Sequence, residues 1–351
     1  MPITWSCRIR RRCARGRADE YDALLDSPAE VAAVVTAPRE HGLRPSGYVD
    51  LEPLARAHQI PVRRCANINA ADEVAHIRRL APDLLVVVGW TRLLGPEVLA
   101  VPPRGCVGFH ASLLPRHRGR APVNWAILRG GEEAGNTMMF LDAGTDTGDV
   151  IDQRPVPIGP DDTCAAVYAR VANAGAAMLR THLQAILDGT APRRPQRPAS
   201  GDLLPKRTPQ MGITDWNRPA RAVHDWIRAL TEPYPGAFGS WSGRQVMFWA
   251  SAVPEVSSAG GRPGEVLGID EHAVRVGSAD GSLLVTAMSD PGAPPEPAPA
   301  WARHAGLRPG DRFDEVDEAT AAWALGLGPA PAAAAAPPPA RAAAASSAGP
   351  R

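Results

Sequence analysis

The chain has 351 residues, 44% of them hydrophobic and 21% charged, and a formal net charge of +1. That length accommodates two domains of ordinary size, and the near-zero charge excludes a global pull toward nucleic acid or an anionic membrane. No apolar run reaches the roughly 20 residues of a membrane helix, and the scattered cysteines (Cys7, Cys13, Cys65, Cys106, Cys164) have neither metal-ligand nor disulfide-frame spacing, which points to a reducing, cytoplasmic setting.

Residues 1–20 form an atypical basic N-terminus, with Arg8, Arg10, Arg11, Arg12, Arg15 and Arg17 crowded together and no apolar stretch between them. Without an apolar h-region the segment does not read as a secretory signal. EVAAVVT at 30–36 reads as a buried strand, 49–58 as a helix, 61–64 as a short strand and 70–80 as an amphipathic helix. LLVVVG at 84–89 is apolar and β-branched and ends in glycine, the pattern of a strand buried on both faces of a parallel sheet. CVGFH at 106–110 is the next strand. It is followed by the loop SLLPRHRGR at 112–120, a helix at 121–129, strands at 136–141 and 149–154, and a long helix over 163–187. Strands alternating with helices predict an open, Rossmann-like, mostly parallel α/β sheet, which binds ligands outside the carboxyl ends of its strands. Gly89, Trp90 and His110 stand at such ends.

Pro, Gly and Arg dominate from 188 onward, a linker composition. The division expected is a first domain over 21–190, a linker over 191–205 and a second domain over 206–318. The second domain contains one helix, 219–230, and then five short β-like runs (GAFGSW, QVMFWAS, GEVLGI, AVRVGS, SLLVTAM) punctuated by Gly, Asp and Pro. This reads as a small OB-like β-barrel. Trp216, Trp226, Trp241, Trp249 and Trp301 are expected in its core, not as a base-stacking surface. The tail over 328–351 is nearly all Ala, Pro and Gly and has too little to bury to fold.

The chemistry concentrates in 105–149. His110 closes a strand on the ligand side, and Asp146 lies in the glycine-rich turn AGTDTGD. A carboxylate that orients an imidazole makes an acid–base pair, able to take a proton from an attacking amine and return one to a leaving amine. Each residue alone has an ordinary structural reading, a satisfied strand-end histidine and a turn aspartate. No G-x-G-x-x-G follows a strand, and there is no P-loop and no H-E-x-x-H, which argues against a dinucleotide oxidoreductase, a P-loop enzyme and a zinc protease.

HASLLPRHRGRAP, then NWAIL, then LDAGTDTGD resemble, in wording and order, the signature of the formyltetrahydrofolate-dependent transferases. That family includes methionyl-tRNA formyltransferase, the amino-sugar N-formyltransferases and the hydrolase domain of formyltetrahydrofolate dehydrogenase. The resemblance runs over roughly 25–318, and RTPQMGITDWNRPARAVHDWIRALTEPYPGAF at 207–238 is similar to the start of the family's carboxyl-terminal domain. It implies an enzyme that takes the formyl group of 10-formyltetrahydrofolate, without a metal, and passes it to an amine. His110 and Asp146 become the catalytic pair. Ser112, Leu113, Leu114 and Pro115 lie along the folate, and Trp90, Leu93 and Leu94 line the pterin pocket. The backbone of Asp142, Ala143, Gly144 and Thr145 holds the pterin edge. Arg116, Arg118 and Arg120 are either contacts to the folate tail or an acceptor phosphate, or a solvated loop face.

The sequence departs from the family in two places. The family has an asparagine two residues before the histidine, whose amide holds the formyl oxygen as it turns negative; here the residue is Gly108. A missing oxyanion donor costs about 100- to 1,000-fold in rate, so hydrolysis of formyl-folate and a degenerate folate binder stand beside transfer as alternatives. The family also opens on an apolar strand, and MPITWSCRIRRRCARGRADEY offers none, so the first strand is expected to be damaged. As to the acceptor, residues 206–327 have 15 acidic residues against 11 basic ones, a poor partner for a phosphate backbone. The wording of PYPGAF and VHDWIRAL is closer to the amino-sugar enzymes. A small amine such as a nucleotide-linked amino sugar is therefore the favoured acceptor, and methionyl-tRNA the alternative.

Overall fold

The structure is a computed structural model that describes residues 2–6 (backbone only), 23–25, 27, 29–38, 50–90, 92–197, 203–255 and 261–332. The arginine-rich stretch after residue 6 and the Ala/Pro tail from 333 therefore lie outside the described residues. The chain divides into two compact units, residues 1–126 with 131–206, and 127–130 with 207–351.

The first unit is built on seven strands: β1 (Pro2–Ser6), β2 (Glu30–Thr36), β3 (Val62–Arg64), β4 (Leu84–Val87), β5 (Cys106–His110), β6 (Glu133–Phe140) and β7 (Val150–Pro157). Their order is β3-β2-β1-β4-β5-β6-β7. Pairing is parallel from β3 to β5 and antiparallel from β5 to β7. The expectation of a damaged first strand is corrected here: Pro2–Ser6 forms a central strand, with Ile3 opposite both Val31 and Leu84. Parallel neighbours on both sides satisfy its backbone.

Helices α1 (Glu52–Ala57), α2 (Ala71–Leu80), α3 (Pro96–Leu99), α4 (Pro122–Leu128) and α5 (Cys164–Asp188) belong to the same region. Alternation along β4 fixes the layers, because successive strand residues face opposite sides. Leu84 and Val86 pack with Val107, Met138, Leu179 and Leu183 on one face. Leu85 and Val87 pack with Val74, Ile77, Val98 and Cys106 on the other. The chain can run α5 for 25 residues because Val167, Val171, Met178, Leu179, Leu183 and Ile186 form one apolar stripe. The Thr163 side chain accepts from the Ala166 N–H at its start, and Gly189, at φ 75°, ends it.

Burial also decides the chemistry of the thiols. It pushes Cys106 up to about 12 and Cys65, with Glu73 adding to the effect, up to about 11. A thiolate is the reactive form. Thiol reagents at mildly alkaline pH should therefore leave Cys65 and Cys106 unlabelled in the folded protein and label both in denaturant, as mapped by peptide mass spectrometry. Native-state labelling of Cys106 would contradict this packing.

The second unit has an antiparallel sheet of β8 (Ala237–Trp241), β9 (Arg244–Ala252), β10 (Val266–Ile269), β11 (Val274–Ser278) and β12 (Gly281–Ser289) in the order β10-β11-β12-β9-β8, with β13 (Glu296–Pro297) pairing β12. Helices α6 (Ala220–Leu230), α7 (Ala298–Ala305) and α8 (Glu318–Ala324) complete it. Trp216, Trp226, Trp249 and Trp301 are buried, as expected of core residues. Trp216 stacks on Phe313 at 5.6 Å and meets Phe248 edge-on at 5.3 Å. Arg207, 5.0 Å over the Trp226 ring, donates to the carbonyls of Met211 and Ala324. No helix among the described residues is long and apolar enough to cross a membrane.

Candidate active site

β5 delivers His110 to the carboxyl end of the sheet, opposite Thr137 of β6. Thr137 then organises the loop that follows. Its hydroxyl donates to the Ser112 carbonyl (2.6 Å) and accepts from the Leu114 N–H (3.1 Å) and from Gln153 Nε2 (2.9 Å). Gln153 also donates to the Leu114 carbonyl (2.7 Å), and the buried Ser112 hydroxyl to the Arg116 carbonyl (2.8 Å). The SLLP loop is thereby fixed by side chains of β6 and β7 that motif reading did not single out.

The structure brings His110 and Asp146 together. The ring is buried, with Nδ1 3.5 Å from Asp146 Oδ2 and Nε2 2.8 Å from the His117 carbonyl. A carbonyl oxygen only accepts, so Nε2 carries a proton and Nδ1 faces the carboxylate. Asp146 Oδ2 also accepts the Gly119 N–H at 2.9 Å. Asp146 and His117 both adopt positive φ, 55° and 58°, uncommon for residues with a Cβ. The upstream part of the turn is closed by Asp142, whose Oδ1 accepts from the Gly144 N–H and the Thr147 hydroxyl. Asp142, Ala143 and Gly144 are exposed, and Thr145 is half-buried.

Gly108 lies two residues before His110 and therefore shares its face of the strand. A Cβ at 108 would stand 2.7 Å from Cδ2 and 3.2 Å from Cδ1 of Leu141. Leucine methyls thus fill the space that an asparagine side chain would need.

The other expected site residues take several settings. Leu94 is buried in the core layer that includes Val87 and Val98, Trp90 packs against that layer, and Leu93 is exposed. Asn69, which the sequence did not flag, clips this turn by donating to the Leu93 carbonyl and accepting the Gly95 N–H. Leu114 is buried, while Leu113 and Pro115 are half-buried. Arg116 and Arg120 are exposed and Arg118 half-buried; Arg116 lies 3.7 Å from Glu133 in a solvent-screened pair. A cavity of about 320 Å³ opens beside the loop, lined by Ser112, Leu113, Arg116, His117 and Glu133 among others. No group of three potential metal ligands occurs among the described residues.

With a proton at Nδ1 of His110, a positive ring would face the Asp146 carboxylate. A paired imidazole and carboxylate is an arrangement suited to acid–base chemistry.

Residues 21–183 match the family Formyl transferase, and residues 206–306 match Formyl transferase, C-terminal domain. The methionyl-tRNA formyltransferase of Geobacter sulfurreducens is 35% identical over 295 residues, 84% of this chain and 92% of that protein. The methionyl-tRNA formyltransferase of Pelotomaculum thermopropionicum is 38% identical over 273 residues, 77% of this chain and 87% of that protein. Among solved structures, an N-formyltransferase from Helicobacter canadensis in complex with folinic acid and dTDP-3-aminofucose superposes with a TM-score of 0.60 at 17% identity, covering 81% of this chain and 98% of that one. HypX from Aquifex aeolicus in complex with tetrahydrofolic acid gives 0.61 at 22% identity, covering 90% of this chain and 48% of HypX, so the chain spans about half of that protein. At such identities both structures speak to the fold alone.

Proposed function

The chain belongs to the formyl transferase family, and from that premise we propose that it formylates the amino group of methionyl-tRNA, with His110 and Asp146 moving the proton. It is a formyl transfer enzyme, and its donor is 10-formyltetrahydrofolate. The single observation that supports the acceptor is the match to methionyl-tRNA formyltransferases along most of their length. The amino-sugar acceptor favoured by the sequence keeps one argument of its own, the excess of acidic over basic residues at 206–327.

In the proposed reaction the acceptor nitrogen attacks the formyl carbon. A new C–N bond forms and the bond from that carbon to the folate nitrogen breaks. The attacking nitrogen loses one proton and the folate nitrogen gains one, so the balance needs no further reactant. His110 takes the proton at Nδ1 and returns it. Asp146 holds the charged ring, and the His117 carbonyl holds Nε2 so that the tautomer cannot reverse. Ser112–Pro115 and the 142–145 turn are the segments proposed to hold the folate.

The test is tetrahydrofolate release from 10-formyltetrahydrofolate, followed by absorbance, with methionyl-tRNA, UDP-amino sugars and no amine. Release that requires methionyl-tRNA is the expected result. Release that requires an amino sugar replaces the acceptor, and release without any amine replaces transfer by hydrolysis.

A further inference from the structure

The segment 191–205 has the composition of a linker, yet it bonds to both loops of the candidate site. Arg194 exchanges backbone hydrogen bonds with Val150, at 2.9 and 3.0 Å. Gln196 Nε2 donates to the carbonyls of Asp146 (3.0 Å) and Gly148 (2.8 Å). The Leu204 N–H donates to the Arg118 carbonyl (2.8 Å), and its carbonyl accepts the Arg120 N–H (3.1 Å). The Pro205 carbonyl accepts Trp125 Nε1 (3.1 Å). Gly119, between the two arginines, has φ 106°, and a Cβ there would meet the Leu204 carbonyl oxygen at 2.6 Å. Only glycine allows this approach, and it is the Gly119 N–H that holds Asp146 Oδ2.

From this geometry we infer that residues 194–197 and 203–205 act as a positioning strap for the acid–base pair, with Gln196 its principal side chain. Gln196 grips the turn in which Asp146 adopts its positive φ. Leu204 grips the loop that supplies the His117 carbonyl to His110. Both partners of the ring are thus set by this stretch of chain, whose Gln196 lies 50 residues downstream of Asp146 and 48 downstream of Gly148. The inference rests on the reading that His110 and Asp146 move the proton.

The test compares Gln196→Leu and Gln196→Glu with wild type, with Gln184→Leu on the exposed face of α5 as control and His110→Ala in parallel. Gln196→Leu keeps the volume and removes both N–H donors. It is expected to lower kcat by about 10- to 100-fold, since misplacement on the scale of an ångström costs that much. The Kd for the folate should stay within about twofold, because no residue proposed to hold the folate is changed. In Gln196→Glu, a carboxylate would face two carbonyls, whereas the protonated acid regains one donor. Its activity relative to wild type should therefore rise as the pH falls from about 8 to about 5.5. Gln196→Leu at wild-type kcat, or a loss of kcat, folate affinity and Tm together with a flat relative pH profile in Gln196→Glu, overturns the strap. If His110→Ala keeps its rate, the reading of the pair fails first and the strap with it. If His110→Ala loses its rate and Gln196→Leu does not, the strap alone fails.

Discussion

Replacing His110 with alanine is expected to lower kcat for formyl transfer by about 100- to 10,000-fold, the usual contribution of a positioned acid–base group. Folate binding should be nearly unchanged, because the ring's polar contacts are to His117 and Asp146. Asp146→Asn should cost a similar factor by a different route. Asparagine keeps the shape and an oxygen for the Gly119 N–H, which now bonds Asp146 Oδ2. The same Oδ2 faces Nδ1 of His110, so with that oxygen kept the ring meets a neutral amide oxygen in place of a carboxylate, and the charged imidazolium loses its counter-charge. The change of one carboxylate oxygen to nitrogen thus disables the base without emptying the site. Single-turnover rates for both variants, with folate affinity measured separately by fluorescence titration, make the comparison. A His110→Ala rate within about threefold of wild type would remove the pair from the mechanism.

How much of this was legible beforehand depended on whether the signal was local. β5 was readable to the residue because CVGFH is a short apolar run bounded by glycine on one side and a polar loop on the other. The long helix α5 announced itself by its stripe and by Thr163 at its start. His110 and Asp146 could be picked out as a candidate pair because the motif around them is local in sequence. β1 was not, because a five-residue strand beside an arginine run is defined by the neighbours Val31 and Leu84. The helix α7 was hidden by the prolines in and around PAPAWARHA, which punctuate more strongly than its few apolar residues. The same limit applies inside the site. Gln196 and Leu204 touch the loops of Asp146 and His117 from far along the chain, and a composition rich in Pro and Arg reads as a connector whatever it touches.

Gly108 shows how a departure visible in sequence acquires its meaning only in three dimensions. Read alone, the glycine is a lost donor. In the structure the space beside it is taken by Leu141, whose methyl carbons would lie 2.7 and 3.2 Å from an added Cβ. Restoring the amide by Gly108→Asn alone should therefore require the half-buried Leu141 side chain to swing aside, at a stability cost of up to about 1–3 kcal/mol and with kcat no higher than wild type. Pairing it with Leu141→Ala removes the obstructing methyls and leaves an amide on the His110 face of β5. If the missing donor limits the chemistry, the double variant should gain up to about 100-fold in kcat, within the range such donors supply, while Leu141→Ala alone gains nothing. The two substitutions must then be strongly non-additive, as expected of residues that share one space. A double variant that folds, binds folate and turns over no faster than wild type would mean that another group already holds the formyl oxygen. Gly108 and Leu141 would then be a packing solution that the reaction tolerates. A gain in transfer to an amine, with release in the absence of amine unchanged, would place the missing amide in the transfer step itself.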